Sequence, residues 1–125
     1  MLFRSRFARH LLHHRALKAG LQAMGIQYSG DPHHCLPMLN SVLIPDGIDD
    51  MAVRSQLLND FGIEVGGGLG PMKGKVWRIG LMGETAKKSN VLLILAALEQ
   101  CLARQSRRPQ PGAGIAAATD VYLQS

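Results

Sequence analysis

The stretch Gly66-Gly67-Gly68-Leu69-Gly70-Pro71-Met72-Lys73-Gly74-Lys75-Val76-Trp77-Arg78-Ile79-Gly80-Leu81-Met82-Gly83 decides how this chain is read. A glycine-rich loop runs into a short apolar strand that carries one arginine, Arg78. Side chains alternate along a strand, so Trp77, Ile79 and Leu81 share one face while Val76, Arg78 and Gly80 share the other. The first face is bulky and reads as a core face. The second sets a permanent cation beside a residue with no side chain, which leaves room for something to approach.

Working back from this stretch, Ile63-Glu64-Val65 reads as a brief strand leading into the loop. Before it, Asp49 is an N-cap for a helix holding Met51, Val53, Leu57, Leu58 and Phe61, which Gly62 ends. Met38 to Ile44 reads as a strand closed by Pro45-Asp46-Gly47, and Ile26 to Tyr28 as a shorter one. The chain opens with Phe3, Phe7, Leu11, Leu17, Leu21 and Met24 at helical spacing, broadened by Leu12 and Ala16. That pattern predicts a helix over residues 3–24 with Gly25 just past its end. Working forward, Ser89 caps a last helix from Asn90 to about Leu102. The order α-β-β-α-β-β-α predicts an α+β fold, a small and mainly antiparallel sheet with helices packed on it. Residues 1–104 form the domain. Residues 105–125 are rich in Gln, Ser, Pro, Gly and Ala and are expected to be a disordered tail.

A length of 125 residues allows one domain, and a hydrophobic content of 46% suits a soluble globular protein. No apolar run reaches the roughly 18 residues that a membrane helix needs. Two cysteines make no disulfide framework, so a reducing, cytoplasmic setting is expected. The net charge of +5 is concentrated at the start, where residues 1–30 carry five Lys or Arg and no acid. That segment lacks base-stacking aromatics or a nucleic-acid motif, and no nucleic-acid partner is expected. An acid-poor, arginine-rich start also fits a transit peptide, but the uninterrupted helical period favours an ordinary helix.

The candidate chemistry is thin apart from one residue. His10 and His14 lie four apart with His13 between them, yet Leu11 stands where a zinc protease has its glutamate, so they read as a solvated polar face. His33, His34 and Cys35 are adjacent, a poor arrangement for chelation, and read as loop residues. The glycine loop lacks the glycine and the Ser or Thr of a Walker loop at Leu69 and Val76. It is also followed by a strand, whereas a phosphate cradle needs a helix N-terminus. No serine or cysteine stands in a nucleophile motif, and the lysines lie in exposed-looking contexts. Arg78 differs. An arginine in an apolar strand needs an anionic partner, either an acid such as Glu64 or Glu84 or the carboxylate of a ligand, unless its face is exposed to solvent.

Leu36-Pro37-Met38-Leu39-Asn40, Gly62 through Pro71, and Gly74 through Gly83 together resemble the C-terminal small domain of class V, pyridoxal-phosphate-dependent aminotransferases. The likeness is of the alanine–glyoxylate and serine–glyoxylate (serine–pyruvate) type. Asn90-Val91 with the helix after it, and Arg6-Phe7-Ala8-Arg9-His10 through Gly25, share it. The likeness covers residues 4–102 and stops before the tail. It implies a domain that packs on a larger, pyridoxal-phosphate-binding domain in a homodimeric enzyme. It also implies that Arg78 matches the arginine that binds the α-carboxylate of a small amino or keto acid. The Schiff-base lysine, the aspartate for the pyridine nitrogen and the phosphate ligands belong to the large domain in that family. The resemblance therefore implies a chain with no catalytic residue of its own and no covalently held cofactor, inactive alone as part of a transaminase. It could also complete a separately encoded cofactor domain, or stand alone as a carboxylate- or protein-binding module.

Overall fold

The computed structural model describes residues 2–29, 39–68, 70–80, 87–105 and 109–124. Four helices and a three-stranded antiparallel sheet build it. In chain order they are α1 (Leu2–Ala23), β1 (Leu39–Leu43), α2 (Asp50–Phe61), β2 (Gly66–Gly67), β3 (Val76–Gly80), α3 (Lys88–Arg104) and α4 (Ala113–Gln124). The sheet order is β1-β3-β2, so the arginine strand is central. This is the α+β arrangement expected, with helices packed on a small antiparallel sheet.

Each element follows from local chemistry, with instructive exceptions. The side chain of Asp49 accepts the N–H of Ala52 at the start of α2, a cap contributing about 1 kcal/mol. Gly62 ends the helix at φ 68°, a left-handed conformation that glycine adopts without a Cβ penalty. The N–H groups of Gly62 and Ile63 then return to the carbonyls of Leu58 and Leu57, both at 3.0 Å. That return uses residue 63 as a helix cap, which is why no strand forms at Ile63-Glu64-Val65. The short strand comes after it, at Gly66–Gly67, and turns back through the loop into β3. Ile26 to Tyr28 likewise yields no full strand, only a bridge from Tyr28 to Val42 flanked by two hydrogen bonds to β1. Helix α3 begins at Lys88, with Lys87 as an N-cap that makes no side-chain hydrogen bond; Ser89 lies inside the helix.

The core joins the sheet to α1, α2 and α3. Trp77 is fully buried and is the largest such side chain, packed in one cluster with Leu17, Leu21, Leu57, Leu95, Leu98 and Leu102. Each fully buried Leu stabilises the fold by about 1.5–3 kcal/mol in transfer free energy. The side chains of Phe3 and Phe7, and residues Met38 and Leu81, lie outside the described residues.

The stretch expected to be a disordered tail contains α4, and this is the main correction to the fold. Ala118 is buried within it, and Ile115, Val121 and Tyr122 pack against the core at helical spacing. The helix lies against α1, and two glycines allow the approach. A Cβ on Gly20 would stand 2.8 Å from the carbonyl oxygen of Gly114 and 2.4 Å from a Leu95 methyl. Small residues that resemble low complexity are here the condition for a close helix crossing. No described helix is long and apolar enough to cross a membrane.

Candidate functional site around Arg78

Antiparallel pairing on both sides holds Arg78 in place: Ser41 of β1 faces it on one side and Gly66 of β2 on the other. The alternation expected for this strand is present, with Trp77 and Ile79 buried and Arg78 half-buried. Val76, which shares the face of Arg78, is buried as well, so that face is covered at its beginning and opens towards Gly80. Arg78 Nε donates a hydrogen bond to the carbonyl of Gly67 at 2.8 Å. The backbone thus fixes the guanidinium through one N–H, and a planar fork with five N–H groups keeps others for an anion. Among the described residues Arg78 forms no ion pair with Glu64, which is exposed; Glu84 lies outside them.

On the opposite face a second arginine meets the same two-residue strand. A Cβ on Gly67 would lie 3.1 Å from Arg54 Nη1, whereas one on Gly66 would lie 3.3 Å from Arg78 Nη2. Arg54 is held by Asp50, one turn earlier on α2, through Nε at 3.0 Å and Nη2 at 3.2 Å. The same carboxylate accepts the indole N–H of Trp77 at 2.7 Å. A buried Trp needs an acceptor for that hydrogen. Asp50 supplies one from the first turn of a helix, where a carboxylate also suits the helix dipole. Asp50 therefore ties α2 to the arginine strand. Sequence reasoning passed over Asp50 and Arg54. Their i,i+4 spacing was the available signal, but nothing local links either residue to Trp77.

The other candidate residues do not gather here. His13 is buried at 7% exposure beneath α4, so it is no part of a solvated face. Its Nδ1 and the Tyr122 hydroxyl share a 2.7 Å hydrogen bond. His14 is partly buried, and no described residue bonds its Nδ1. His33, His34 and Cys35 lie outside the described residues. Among the described residues no group of three His, Cys, Asp or Glu is placed to hold a metal ion. Lys18, Lys73, Lys75, Lys87 and Lys88 are all exposed, and Lys18 and Lys88 lie over the rings of Tyr28 and Tyr122 at 5.3 and 5.4 Å. An amine that forms a Schiff base is activated by desolvation or a neighbouring cation, and these five are in water. They do not fit a pyridoxal phosphate anchor. A recess of about 350 Å³ adjoins the other side of β3, lined by Phe61, Ile63, Val65 and Ile94 together with the polar Glu64 and Asn90.

Comparison with known proteins gives this geometry its context. The (S)-ureidoglycine–glyoxylate transaminase of Bacillus subtilis is 47% identical over 118 residues, covering 94% of this chain and 28% of that protein. Alanine–glyoxylate aminotransferase of Callithrix jacchus is 46% identical over 87 residues, 69% of this chain and 21% of that protein. The chain matches the class V pyridoxal-phosphate-dependent aminotransferases. The crystal structure of the Bacillus subtilis ureidoglycine–glyoxylate aminotransferase superposes with a TM-score of 0.91 at 46% identity, over 96% of this chain and 31% of that one. No family model matches the chain. The chain thus spans under a third of the length of these aminotransferases. The match of 118 residues extends into the stretch after Arg104. That corrects the expectation that the class V likeness ends there, and it agrees with the packing of α4 on α1.

Proposed function

We propose that this chain is the substrate-carboxylate-binding part of a class V transaminase. The enzyme would move an amino group between a small amino acid, alanine or serine, and glyoxylate or pyruvate. The observation that carries the reading is Arg78, half-buried on the central strand and fixed by its Nε to the Gly67 carbonyl. A guanidinium held in this way binds a carboxylate through its remaining N–H groups and sets the angle of the adjoining carbon. Pyridoxal phosphate would supply the electron sink for the amino transfer. The exposed lysines here leave the binding of that group to a separate cofactor domain, the proposed partner, in a homodimer.

The test grafts this chain in place of the corresponding stretch of the Bacillus subtilis transaminase. Arg78→Ala should weaken keto-acid binding by about 2–5 kcal/mol, as for loss of one partner of a buried charged pair. That corresponds to a KM raised roughly 30-fold or more. An unchanged KM would remove Arg78 from the site. The 125-residue chain alone, mixed with pyridoxal phosphate and reduced with borohydride, should give no adduct specific to one lysine. A single modified lysine would overturn the division of labour.

A further inference from the structure

Three consecutive glycines, Gly66, Gly67 and Gly68, precede the loop, and none has a positive φ. Backbone conformation therefore does not demand glycine at these positions, and a glycine inside a strand weakens it. Each must be explained by what occupies the space of its missing side chain. For Gly68 that is backbone, since a Cβ would collide with the Met72 carbonyl oxygen at 2.0 Å. For Gly67 it is Arg54, whose guanidinium belongs to the Asp50 network. For Gly66 it is Arg78: a Cβ would meet Nη2 at 3.3 Å, Nε at 3.5 Å and the arginine Cβ at 3.6 Å.

From this we infer that Gly66 is a positioning residue for Arg78, its bare backbone being the seat on which the carboxylate-binding guanidinium lies. The inference rests on the role proposed above for Arg78. The two N–H groups concerned are held differently. Nε is fixed by the Gly67 carbonyl, and Nη2 is kept in place by the absence of a side chain on Gly66. A methyl at residue 66 presses on Nη2 while leaving the Gly67 acceptor intact, so the guanidinium tilts about its anchored edge. A tilt of a few tenths of an ångström misplaces the fork without unfolding the strand. Misplacement of about 1 Å in a positioned group costs on the order of 100-fold. The arginine on the other face serves as a control. Arg54 fills the space of the missing Gly67 side chain and is held by Asp50, on the side of the sheet away from Arg78.

The decisive experiment compares Gly66→Ala, Gly66→Val and Arg54→Ala with Arg78→Lys in the grafted transaminase, alongside NMR of the 125-residue chain. Gly66→Ala should raise the keto-acid KM about 5-fold and Gly66→Val on the order of 50-fold, with kcat less affected. Arg54→Ala should stay within about 3-fold of the parent. In the chain itself, Gly66→Ala should shift the side-chain Nε–H signal of Arg78, and Arg54→Ala should leave it in place. Equal effects of the two alanine variants, or an unmoved KM in both Gly66 variants while Arg78→Lys raises it, would overturn the inference and leave the role of Arg78 standing. If Arg78→Lys has no effect on KM, the functional reading fails instead. The Nε–H signal then still decides whether Gly66 positions the guanidinium, and it also decides the matter if Gly66→Val does not fold.

Discussion

At the crossing of α1 and α4, and at the β2 edge of the sheet, the chain uses glycine to bring parts of itself close together, with different results. Between the helices, the space a side chain would fill at Gly20 is taken by Leu95 and by the Gly114 backbone, and at Gly114 by Met24. On the strand, the corresponding spaces at Gly66 and Gly67 are taken by the heads of two arginines. The first contact is apolar atoms and backbone in a packed core, which transmits any added volume as strain. The second is charged groups on flexible stems at partly open positions, which can yield without unfolding anything. A glycine at the crossing therefore secures the fold, and a glycine at the sheet edge makes room for an arginine head.

The largest effect that tests this contrast is expected from Gly20→Val. Valine would be driven into Leu95, which is 1% exposed and has nowhere to move. Overpacking of this kind costs about 1–3 kcal/mol, and a β-branched residue in a helix recovers little of it. Loss near the upper end is expected in urea melts of the chain, with undocking of α4 visible as exposure of Tyr122 to solvent. Gly114→Ala should cost less, because its first neighbour is the flexible Met24 side chain at 2.6 Å. A Gly20→Val protein as stable as the parent would show that the crossing is loose and the contrast wrong.

Asp50→Ala comes next and probes the sheet edge from the other side. It leaves the buried Trp77 N–H without its acceptor and releases Arg54. A loss of about 2 kcal/mol is expected from the hydrogen bond to a charged group together with the unsatisfied donor. The Gly67 acceptor of Arg78 and the pairing of β3 with β1 remain. Stability should therefore fall while the Arg78 Nε–H signal stays in place. Movement of that signal would mean that the two faces of the strand are not separable.

What could be read in advance follows the same division between local and distant causes. Helix α2 was legible because Asp49 and Gly62 mark its ends with their own chemistry. The arginine strand was legible because period-two alternation survives in Trp77, Arg78 and Ile79. Strand β2 was not, since two glycines carry no strand propensity and only their pairing with β3 makes them one. Helix α4 was hidden by the small residues that let it approach α1. The burial of His13 depends on Tyr122, 109 residues further on, and no local pattern could report it. Arg78 as a candidate came from the strand pattern; its hold on Gly67 and the Asp50 network came only from the structure.

The smallest expected effect lies at the helix crossing and depends on pH. His13 is held below its ordinary pKa of 6.5 by burial first, then by His10 and Arg9 on its own helix. From α4, Tyr122 faces it, and burial pushes that phenol up to about 12, so Tyr122 stays uncharged across the working range. Lys88 of α3 lies over the Tyr122 ring at 5.4 Å. His14 is shifted in the same direction, by burial and then Lys18. As pH falls through the ordinary value, the unfolded chain takes up protons that the folded chain resists. Stability is therefore full above that value and declines as pH drops, until the depressed folded pKa is reached. Urea midpoints at pH 7.5 and 5.5 should show this loss, and His13→Gln should reduce it. Tyr122→Phe should cost about 1 kcal/mol at pH 7.5, the worth of one hydrogen bond. If the His13→Gln protein keeps the full pH dependence, the dependence belongs to His14 or to the sheet, and the crossing is not where acid acts.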